Sequence, residues 1–204
     1  MVNRNIYVGL VHHPVLNKQG EVITTSITNM DIHDIARTCM TFGVKQYFII
    51  NPLESQFQLF KKLISFWQSD IGQNYQVDRA RALSIVSYQF SLQEAIDYIK
   101  NQEKVEPVNI TTTARIRNDQ VTFENLPQVV SDDNRPAFLL FGTGYGLSEE
   151  IHQNADYILE PLYGANDFNH LSVRCAVALV LDRLVPKNKG GKHGFITGSQ
   201  QAAS

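Results

Sequence analysis

The chain has 204 residues, of which 43% are apolar and 19% are charged. This composition fits a single globular domain with an ample core, and it excludes a fibre or a largely disordered chain. The formal net charge of −2 excludes a protein that holds nucleic acid through a global basic field, so any site for a polyanion is expected to be local.

Cysteine use and hydropathy bear on the compartment and on partners. The two cysteines, Cys39 and Cys175, suit a reducing environment and argue against a disulfide framework, so we expect a cytoplasmic protein. No stretch approaches the roughly 20 apolar residues of a membrane span. The six histidines show no zinc spacing with the cysteines. Neither a membrane nor a metal is therefore expected as a partner.

The amino-terminal part of the chain shows a strand and then a helix. Residues 6–11 form an apolar, β-branched run that predicts a buried first strand. Thr28 and Asp31 have the spacing of a capping box, and apolar residues then recur at helical spacing. Gly43 stands in the C′ position of the helix that this pattern predicts.

The same alternation continues along the chain. The apolar patterns predict strands over residues 46–50, 83–88, 108–112, 137–141 and 157–159 and helices over residues 55–69 and 92–101. Alternation of this kind produces a mostly parallel sheet with helices on both faces, so we expect an α/β fold in one domain over residues 1–186. Residues 187–204 are rich in Gly, Lys, Ser and Gln and are expected to be a flexible tail.

The last predicted helix, within the segment LSVRCAVALVLDRL, is apolar on almost every side. Such a helix is buried on both sides. Because the sheet can cover one side only, a second copy of the chain is the simplest cover for the other, and we expect a homodimer. Arg174 is the exception on this helix. Its guanidinium needs a carboxylate, a backbone acceptor or a substrate phosphate to accept its hydrogen bonds. For a structural pairing, the candidates are Asp182 or a group of the second subunit.

Three glycines follow the predicted strand over residues 137–141. Gly142, Gly144 and Gly146 form G-x-G-x-G, which differs from the dinucleotide fingerprint G-x-G-x-x-G and comes late in the chain. An NAD-dependent oxidoreductase is therefore disfavoured. The lack of a G-x-x-x-x-G-K-[ST] motif also disfavours a nucleotide triphosphatase. From the residues alone, the glycines fit either an ordinary turn with positive φ or a turn that a ligand approaches.

Three segments resemble the SPOUT superfamily of knotted RNA methyltransferases that use S-adenosyl-L-methionine (AdoMet): DIHDIARTCMTFGVKQYFIINP, PAFLLFGTGYGL and ILEPLYGANDFNHLSVRCAVALVLDRL. The likeness covers most of the chain, and NHLSVR is its most specific part. The group that this chain most resembles is that of stand-alone bacterial SPOUT domains. The resemblance implies a deep trefoil knot in the carboxyl-terminal half, an AdoMet pocket made by three loops of the knot, and a homodimer whose active site spans both subunits.

The resemblance also assigns the residues of the pocket. Backbone N–H and C=O groups at strand ends can bind the adenine edge, and glycines let a ligand approach them. The implied cofactor-binding residues, in the order of the three loops, are Thr112, Thr113 and Ala114, then Phe141, Gly142, Thr143, Gly144, Gly146 and Leu147, then Glu160, Leu162, Gly164, Asn169, Leu171 and Ser172.

The implied catalytic residues are Arg37, Asn169 and Ser172. In SPOUT enzymes that methylate the ribose 2′-hydroxyl, an arginine of the first helix lies in a pattern like N-x-x-x-x-x-R-T. Here DIHDIART places Arg37 on that arginine, with Asp31 instead of asparagine. Arg37 could stabilise a developing alkoxide and hold a phosphate, or it could pair with Asp34 at i, i+3. Asn169 and Ser172 could orient the acceptor or the AdoMet carboxylate, or could cap the last helix.

Together these features predict an AdoMet-dependent RNA methyltransferase that acts on tRNA or rRNA at a ribose 2′-hydroxyl. Two alternatives stay open. One is methylation of a base nitrogen, for which Asp167 is the candidate general base, and the other is a non-catalytic RNA-binding module. Arg115 and Arg117 directly follow the first pocket loop. They either form a local phosphate-binding patch with Arg37 of the partner subunit or are ordinary surface charges.

Overall fold

The computed structural model of the protein describes residues 5–128, 135–166 and 168–185. Within these ranges, a seven-stranded sheet forms the centre of the fold. The described ranges contain nine strands, seven in this sheet and two in a separate hairpin: β1 (Ile6–Val11), β2 (Val15–Leu16), β3 (Val22–Ile23), β4 (Gln46–Ile50), β5 (Val86–Gln89), β6 (Val108–Thr112), β7 (Gln120–Val121), β8 (Ala137–Gly142) and β9 (Tyr157–Leu159). The order in the sheet is β5-β4-β1-β8-β6-β9-β7, and every pairing is parallel. Strands β2 and β3 form a separate antiparallel hairpin.

Helices surround this sheet. They are α1 (Asn29–Thr41), α2 (Glu54–Gln68), α3 (Asp70–Tyr75), α4 (Val77–Leu83), α5 (Leu92–Glu103), α6 (Glu149–Gln153) and α7 (Val173–Leu184). Thr28 caps α1, since its Oγ1 accepts from the Asp31 N–H at 3.1 Å and donates to the Asp31 carboxylate at 2.6 Å. Gly43 follows the helix with a φ of +71°. The Thr28 cap and the C′ glycine are confirmed, whereas the Asp31 carboxylate bonds to the Thr28 hydroxyl rather than to the backbone N–H of a full capping box.

The sheet buries both of its faces. On one face, alternate strand residues such as Val8 and Leu139 pack in an apolar cluster with α1, α2, α4 and α7. On the other face, Phe48 and Phe138 pack in a second cluster with α5 and α6. All six residues of β1 are buried, as is typical of parallel strands covered on both sides. The expected α/β fold, with a mostly parallel sheet and helices on both faces, is confirmed.

Strand β8 lies between β1 and β6, although it follows both in the chain. Leu139 is in register with Val8 of β1 and with Ile110 of β6. Parallel strands end at the same edge of a sheet, so the segments that leave β6 and β8 start side by side. The first two predicted pocket loops therefore begin at one edge of the sheet.

One predicted element is misplaced. The apolar run over residues 83–88 predicts a strand, but Leu83 ends α4 and β5 begins at Val86. Leu83 is 1% exposed, and α4 packs against α1. This tertiary packing makes the first residue of the run helical, which the run itself does not indicate. Among the helices of the described ranges, none combines the length and the apolar character that a membrane crossing needs.

Candidate functional site

The turn after β8 is a tight reversal that requires glycine at its first position. A Cβ on Gly142 would lie 2.6 Å from the backbone nitrogen of Leu147 and 2.8 Å from the carbonyl carbon of Gly146. Gly144 and Gly146 have φ values of +61° and +104°, a region that other residues rarely adopt. A Cβ on Gly146 would meet nothing within 4 Å. The turn is thus closed on its inner side and open to a ligand at Gly146.

The β2–β3 hairpin and the end of β1 hold this turn in place. Thr143 donates from its Oγ1 to the Val11 carbonyl at 3.1 Å and also contacts the Thr25 hydroxyl. The Leu16 N–H donates to the Gly146 carbonyl at 2.9 Å. Sequence analysis missed Thr25 and Leu16, because two-residue strands and their flanking loops carry no periodic signal. The second predicted pocket loop is therefore anchored on two sides by the chain itself.

The first and third predicted loops meet through Asn169. Its Nδ2 donates to the Ala114 carbonyl at 3.1 Å. Thr112 fixes the first loop to β8, because its hydroxyl donates to the Leu140 carbonyl at 2.9 Å. The Thr113 hydroxyl accepts from a backbone N–H two residues further along the chain at 3.1 Å. The structure therefore brings these two loops together at the edge where the glycine turn begins.

Glu160 braces the start of the third loop. Its N–H donates to the Val121 carbonyl at 2.9 Å, and its carboxylate accepts from the Phe123 N–H at 2.7 Å. Leu162 is half-buried against the core, whereas Gly164 is exposed. The Glu160 carboxylate thus holds the β7 segment, and the exposed part of the loop lies further along.

Two of the predicted cofactor-binding residues have their side chains in the core. Phe141 and Leu147 are 1% and 2% exposed, and they belong to the two different apolar clusters. A ligand could therefore contact their backbones rather than their side chains. Leu171, by contrast, is 47% exposed just before α7. The two clusters hold the glycine turn from both faces of the sheet.

Ser172 caps the last helix. Its Oγ accepts from the Cys175 N–H at 3.4 Å, which fits the capping alternative for this residue. Because a serine hydroxyl that accepts can also donate, its proton stays available for a second partner. Asn169 does not cap the helix, and its amide instead holds the first loop.

Arg174 makes its contacts with α1. Its Nε lies 3.4 Å from Oδ1 of Asp31, and its Nη1 lies 3.2 Å from Oδ2 of Asp34. Two carboxylates of the first helix therefore meet its need for an acceptor, whereas the sequence analysis considered Asp182 or a second subunit. Arg37 is exposed on the same helix, and within the described ranges its side chain has no ion pair or hydrogen bond. The expected alternative, a pair between Arg37 and Asp34, is not formed.

The two arginines after the first loop differ in their surroundings. Arg117 forms a bidentate pair with Glu149, with nitrogen to oxygen distances of 2.9 and 2.6 Å. Its charge is compensated there, which supports the surface-charge alternative for this residue. Arg115 is exposed and remains a candidate for contact with phosphate.

Two buried histidines lie near these loops. His12 bonds through its Nδ1 to the Thr25 hydroxyl at 2.9 Å, and burial lowers the pKa of His12 to about 4. His152 bonds through its Nδ1 to the Thr111 hydroxyl at 2.9 Å, and burial also lowers its pKa. Both are therefore neutral at pH 7 and add no positive charge to the site. The Thr25 hydroxyl connects His12 to Thr143 of the glycine turn.

A cavity of about 420 Å³ opens elsewhere, between α5 and α6. Its lining includes Leu92, Ile96, Glu106, Asn109, Leu140 and Asn154. None of the predicted site residues lines it.

In the part of the chain that the structure describes, no group of three or more His, Cys, Asp or Glu side chains could hold a metal ion. Asp167 and residues 187–204, for which the sequence analysis made predictions, lie outside the described residues.

Comparison with known proteins relates this chain to a family. The model of a family described as SAM-dependent RNA methyltransferases, where SAM is AdoMet, matches residues 5–186. An uncharacterised protein of Aquifex aeolicus is 36% identical over 189 residues, which cover 93% of this chain and 92% of that protein. A protein of Oleidesulfovibrio alaskensis named tRNA (guanine-N(1)-)-methyltransferase is 38% identical over 182 residues. That match covers 89% of this chain but 42% of the relative.

The fold has counterparts among solved structures. The SpoU methyltransferase AviRb from Streptomyces viridochromogenes, in complex with AdoMet, matches 91% of this chain and 58% of its own with a TM-score of 0.55. Identity in that match is 14%, so it shows a shared fold. The family model confirms the expected relation to RNA methyltransferases, and the solved structures agree with the SPOUT resemblance at the level of the fold. Because the family model matches residues 5–186, the chain belongs to the family of SAM-dependent RNA methyltransferases.

Proposed function

We propose that this protein transfers a methyl group from AdoMet to a ribose 2′-hydroxyl of tRNA. The observation that carries the proposal is the meeting of the predicted loops, in which Asn169 bonds to Ala114 at 3.1 Å. The glycine turn at the same edge of the sheet is open at Gly146. Such a turn fits AdoMet, because an added Cβ would fill the space through which a ligand reaches the backbone.

The choice of tRNA is supported by the name of the O. alaskensis relative, of which the chain spans 42%. In the proposal, the cofactor lies against residues 112–114, 142–147 and 160–164 and against residues 169–172 before α7. The backbones of Phe141 and Leu147 and the amide of Asn169 offer hydrogen bonds to it. AdoMet, when bound, supplies a methyl group on a positively charged sulfur.

The protein's part in the reaction is to hold the acceptor and stabilise its charge. The exposed guanidinium of Arg37 can donate two parallel hydrogen bonds to an RNA phosphate. It can also stabilise the negative charge that develops on the ribose oxygen as the hydroxyl proton passes to solvent water. Ser172 can donate its hydroxyl proton to the acceptor or to a carboxylate, because its Oγ already accepts from Cys175. Asn169, held by Ala114, keeps this end of the site in position.

A second acceptor has one observation in its favour. The same relative is named for the N1 position of guanine, and a ring N–H must lose its proton before it can be methylated. That step calls for a carboxylate with a raised pKa. Asp167 is the candidate in this case.

We further propose that the chain forms a homodimer and a trefoil knot within one domain over residues 1–186. Support for the dimer comes from the outer side of α7, where Leu179 is 41% exposed and Cys175 is also exposed. Leu171 extends this apolar surface. Support for the knot comes from the placement of β8 between β1 and β6, with α7 packed against α1.

One experiment separates the candidate functions. The protein is incubated with methyl-labelled AdoMet and unmodified tRNA transcripts, and the RNA is digested to nucleosides and analysed by mass spectrometry. A labelled 2′-O-methylnucleoside supports the proposal, and labelled 1-methylguanosine supports the second acceptor. Binding of S-adenosylhomocysteine, the demethylated product, without any labelled nucleoside would contradict both and favour a non-catalytic RNA-binding module.

A further inference from the structure

Arg174 lies where a helix disfavours a cation. It is in the first turn of α7, and the amino end of a helix carries a partial positive charge. Its two contacts with α1, at 3.4 Å to Asp31 and 3.2 Å to Asp34, offset this repulsion. The Asp31 side chain is 15% exposed and is also held by the Thr28 hydroxyl at 2.6 Å. The contact is therefore a defined connection between α1 and α7.

Asp34 lies within reach of two arginines. Arg37 follows it by three residues on α1, and this spacing allows an ion pair on the surface of a helix. In the structure, the Asp34 carboxylate contacts Arg174 instead. The side chain of Arg37 has no partner within the described ranges. A carboxylate already compensated by one guanidinium attracts a second one less strongly.

We infer that Arg174 is a positioning residue for RNA: by holding Asp31 and Asp34, it keeps the guanidinium of Arg37 unpaired and compensates two carboxylates beside it. The inference rests on the proposed role of Arg37 in binding RNA. Without Arg174, Asp34 becomes free to pair with Arg37. The two carboxylates then also repel the phosphates that Arg37 would bind.

A pair of substitutions tests this inference through binding of unmodified tRNA transcripts. Arg174→Gln is expected to weaken binding about tenfold at roughly 0.1 M salt, the size of one lost phosphate contact. Adding Asp34→Asn to the Arg174→Gln protein is expected to restore binding to within about threefold of the original. If Arg174 touched RNA directly, or merely fastened α7 to α1, the second substitution would not restore binding. Failure of the double variant to recover therefore overturns the inference.

The single variant Asp34→Asn tests the inference independently of whether the Arg174→Gln protein folds. In this variant Arg174 still pairs with Asp31, and Arg37 has no carboxylate at Asp34 to pair with. Binding of tRNA is therefore expected to be unchanged or up to about twofold tighter. Weaker binding by Asp34→Asn would also overturn the inference. Binding of S-adenosylhomocysteine, measured by calorimetry, shows for each variant whether the cofactor loops are intact.

A second readout needs no RNA, so it separates this inference from the proposed function. Thermal unfolding of a double-mutant cycle, with Asp34→Asn and Arg37→Gln, measures the coupling between these two side chains. We expect no coupling in the original chain and a favourable coupling in the Arg174→Gln chain. Absence of coupling in both chains would overturn the inference. If the original protein fails to bind tRNA, the proposed function is contradicted and this cycle alone decides the inference.

Discussion

Asn169 and Ala114 are 55 residues apart in the chain, and the amide nitrogen of the first donates to the carbonyl of the second at 3.1 Å. Neither residue belongs to a helix or a strand. This hydrogen bond therefore sets the distance between two irregular segments. The proposed cofactor pocket depends on that distance, because its walls come from both segments.

Asn169→Asp is expected to weaken binding of S-adenosylhomocysteine about fivefold to tenfold, a loss of about 1 kcal/mol. The carboxylate has the shape of the amide but cannot donate to the Ala114 carbonyl. Isothermal titration calorimetry measures the change. Asn166→Ala is the matched control, since the Asn166 side chain accepts from the Phe168 N–H within the same loop. An equal loss in both variants would argue against a special role for the connection to Ala114.

Gly142→Ala is expected to destabilise the fold by about 1–3 kcal/mol and to weaken binding of the cofactor product. The added Cβ would lie 2.6 Å from a backbone nitrogen that cannot move away without opening the turn. Urea unfolding and calorimetry measure the two effects. Gly20→Ala serves as the control, because Gly20 has a φ of +83° and nothing within 4 Å of an added Cβ. It should cost about 1 kcal/mol and leave cofactor binding unchanged.

Arg37→Ala is expected to lower kcat for tRNA methylation about 100-fold, because the developing charge on the acceptor oxygen loses its stabilising guanidinium. Affinity for S-adenosylhomocysteine should not change. Arg37→Lys keeps the charge but loses the two-pronged geometry, so we expect it to recover part of the rate. Single-turnover kinetics with tRNA transcripts measure both variants, and an unchanged rate in Arg37→Ala would remove Arg37 from the mechanism.

Stability is expected to fall as the pH drops below about 6.5. Burial lowers the pKa of His12 from 6.5 to about 4, so the unfolded chain binds a proton more readily than the folded one. The contribution of neutral His12 is fully present above pH 6.5 and is lost as the pH falls towards 4. At its largest this amounts to about 3 kcal/mol.

Urea unfolding at about pH 7 and about pH 5 measures this loss. His12→Asn offers a comparison, because asparagine can still bond to the Thr25 hydroxyl but does not titrate. Its stability should change less between the two pH values. Equal pH dependence in both proteins would assign the effect to other groups, such as His152, whose pKa burial also lowers.

Leu179→Asp is expected to convert the proposed dimer into monomers at micromolar concentration, because a charge on the outer side of α7 would be buried in the interface. Sedimentation velocity measures the change. Leu59→Asp on α2, at a position that is 49% exposed, should leave the dimer intact. A monomeric original protein would contradict the proposal directly.

The sequence predicts the long buried strands well. The bounds of β1, β4 and β9 agree with the apolar runs, because a strand covered on both faces is apolar over almost its whole length. The β2–β3 hairpin and helices α3 and α4 were not predicted. These elements span two to seven residues, too few for a period to show. At Leu83 the pattern misleads, because packing against α1 extends a helix into an apolar run.

At the candidate site, the sequence and the family resemblance identify the loops but not their partners. The glycines of the second loop are recognisable, since their spacing marks a turn. The bond from Asn169 to Ala114 and the contacts of Arg174 with Asp31 and Asp34 join distant segments. Such contacts depend on how elements pack, and no local pattern encodes them. For the same reason, the i, i+3 spacing allows a pair between Arg37 and Asp34, but in the fold Asp34 contacts Arg174 instead.

The place of β8 in the sheet has a consequence for synthesis on the ribosome. A nascent chain that has emerged through β6 has two strand edges, on β1 and β6, that face an empty slot. Unpaired edges of this kind invite association with other chains. The centre of the sheet can close only after residues 137–142 have been translated and released from the exit tunnel. Closure of the sheet is therefore delayed by the topology of the chain, and the nascent form exposes the strand edges that the finished fold pairs.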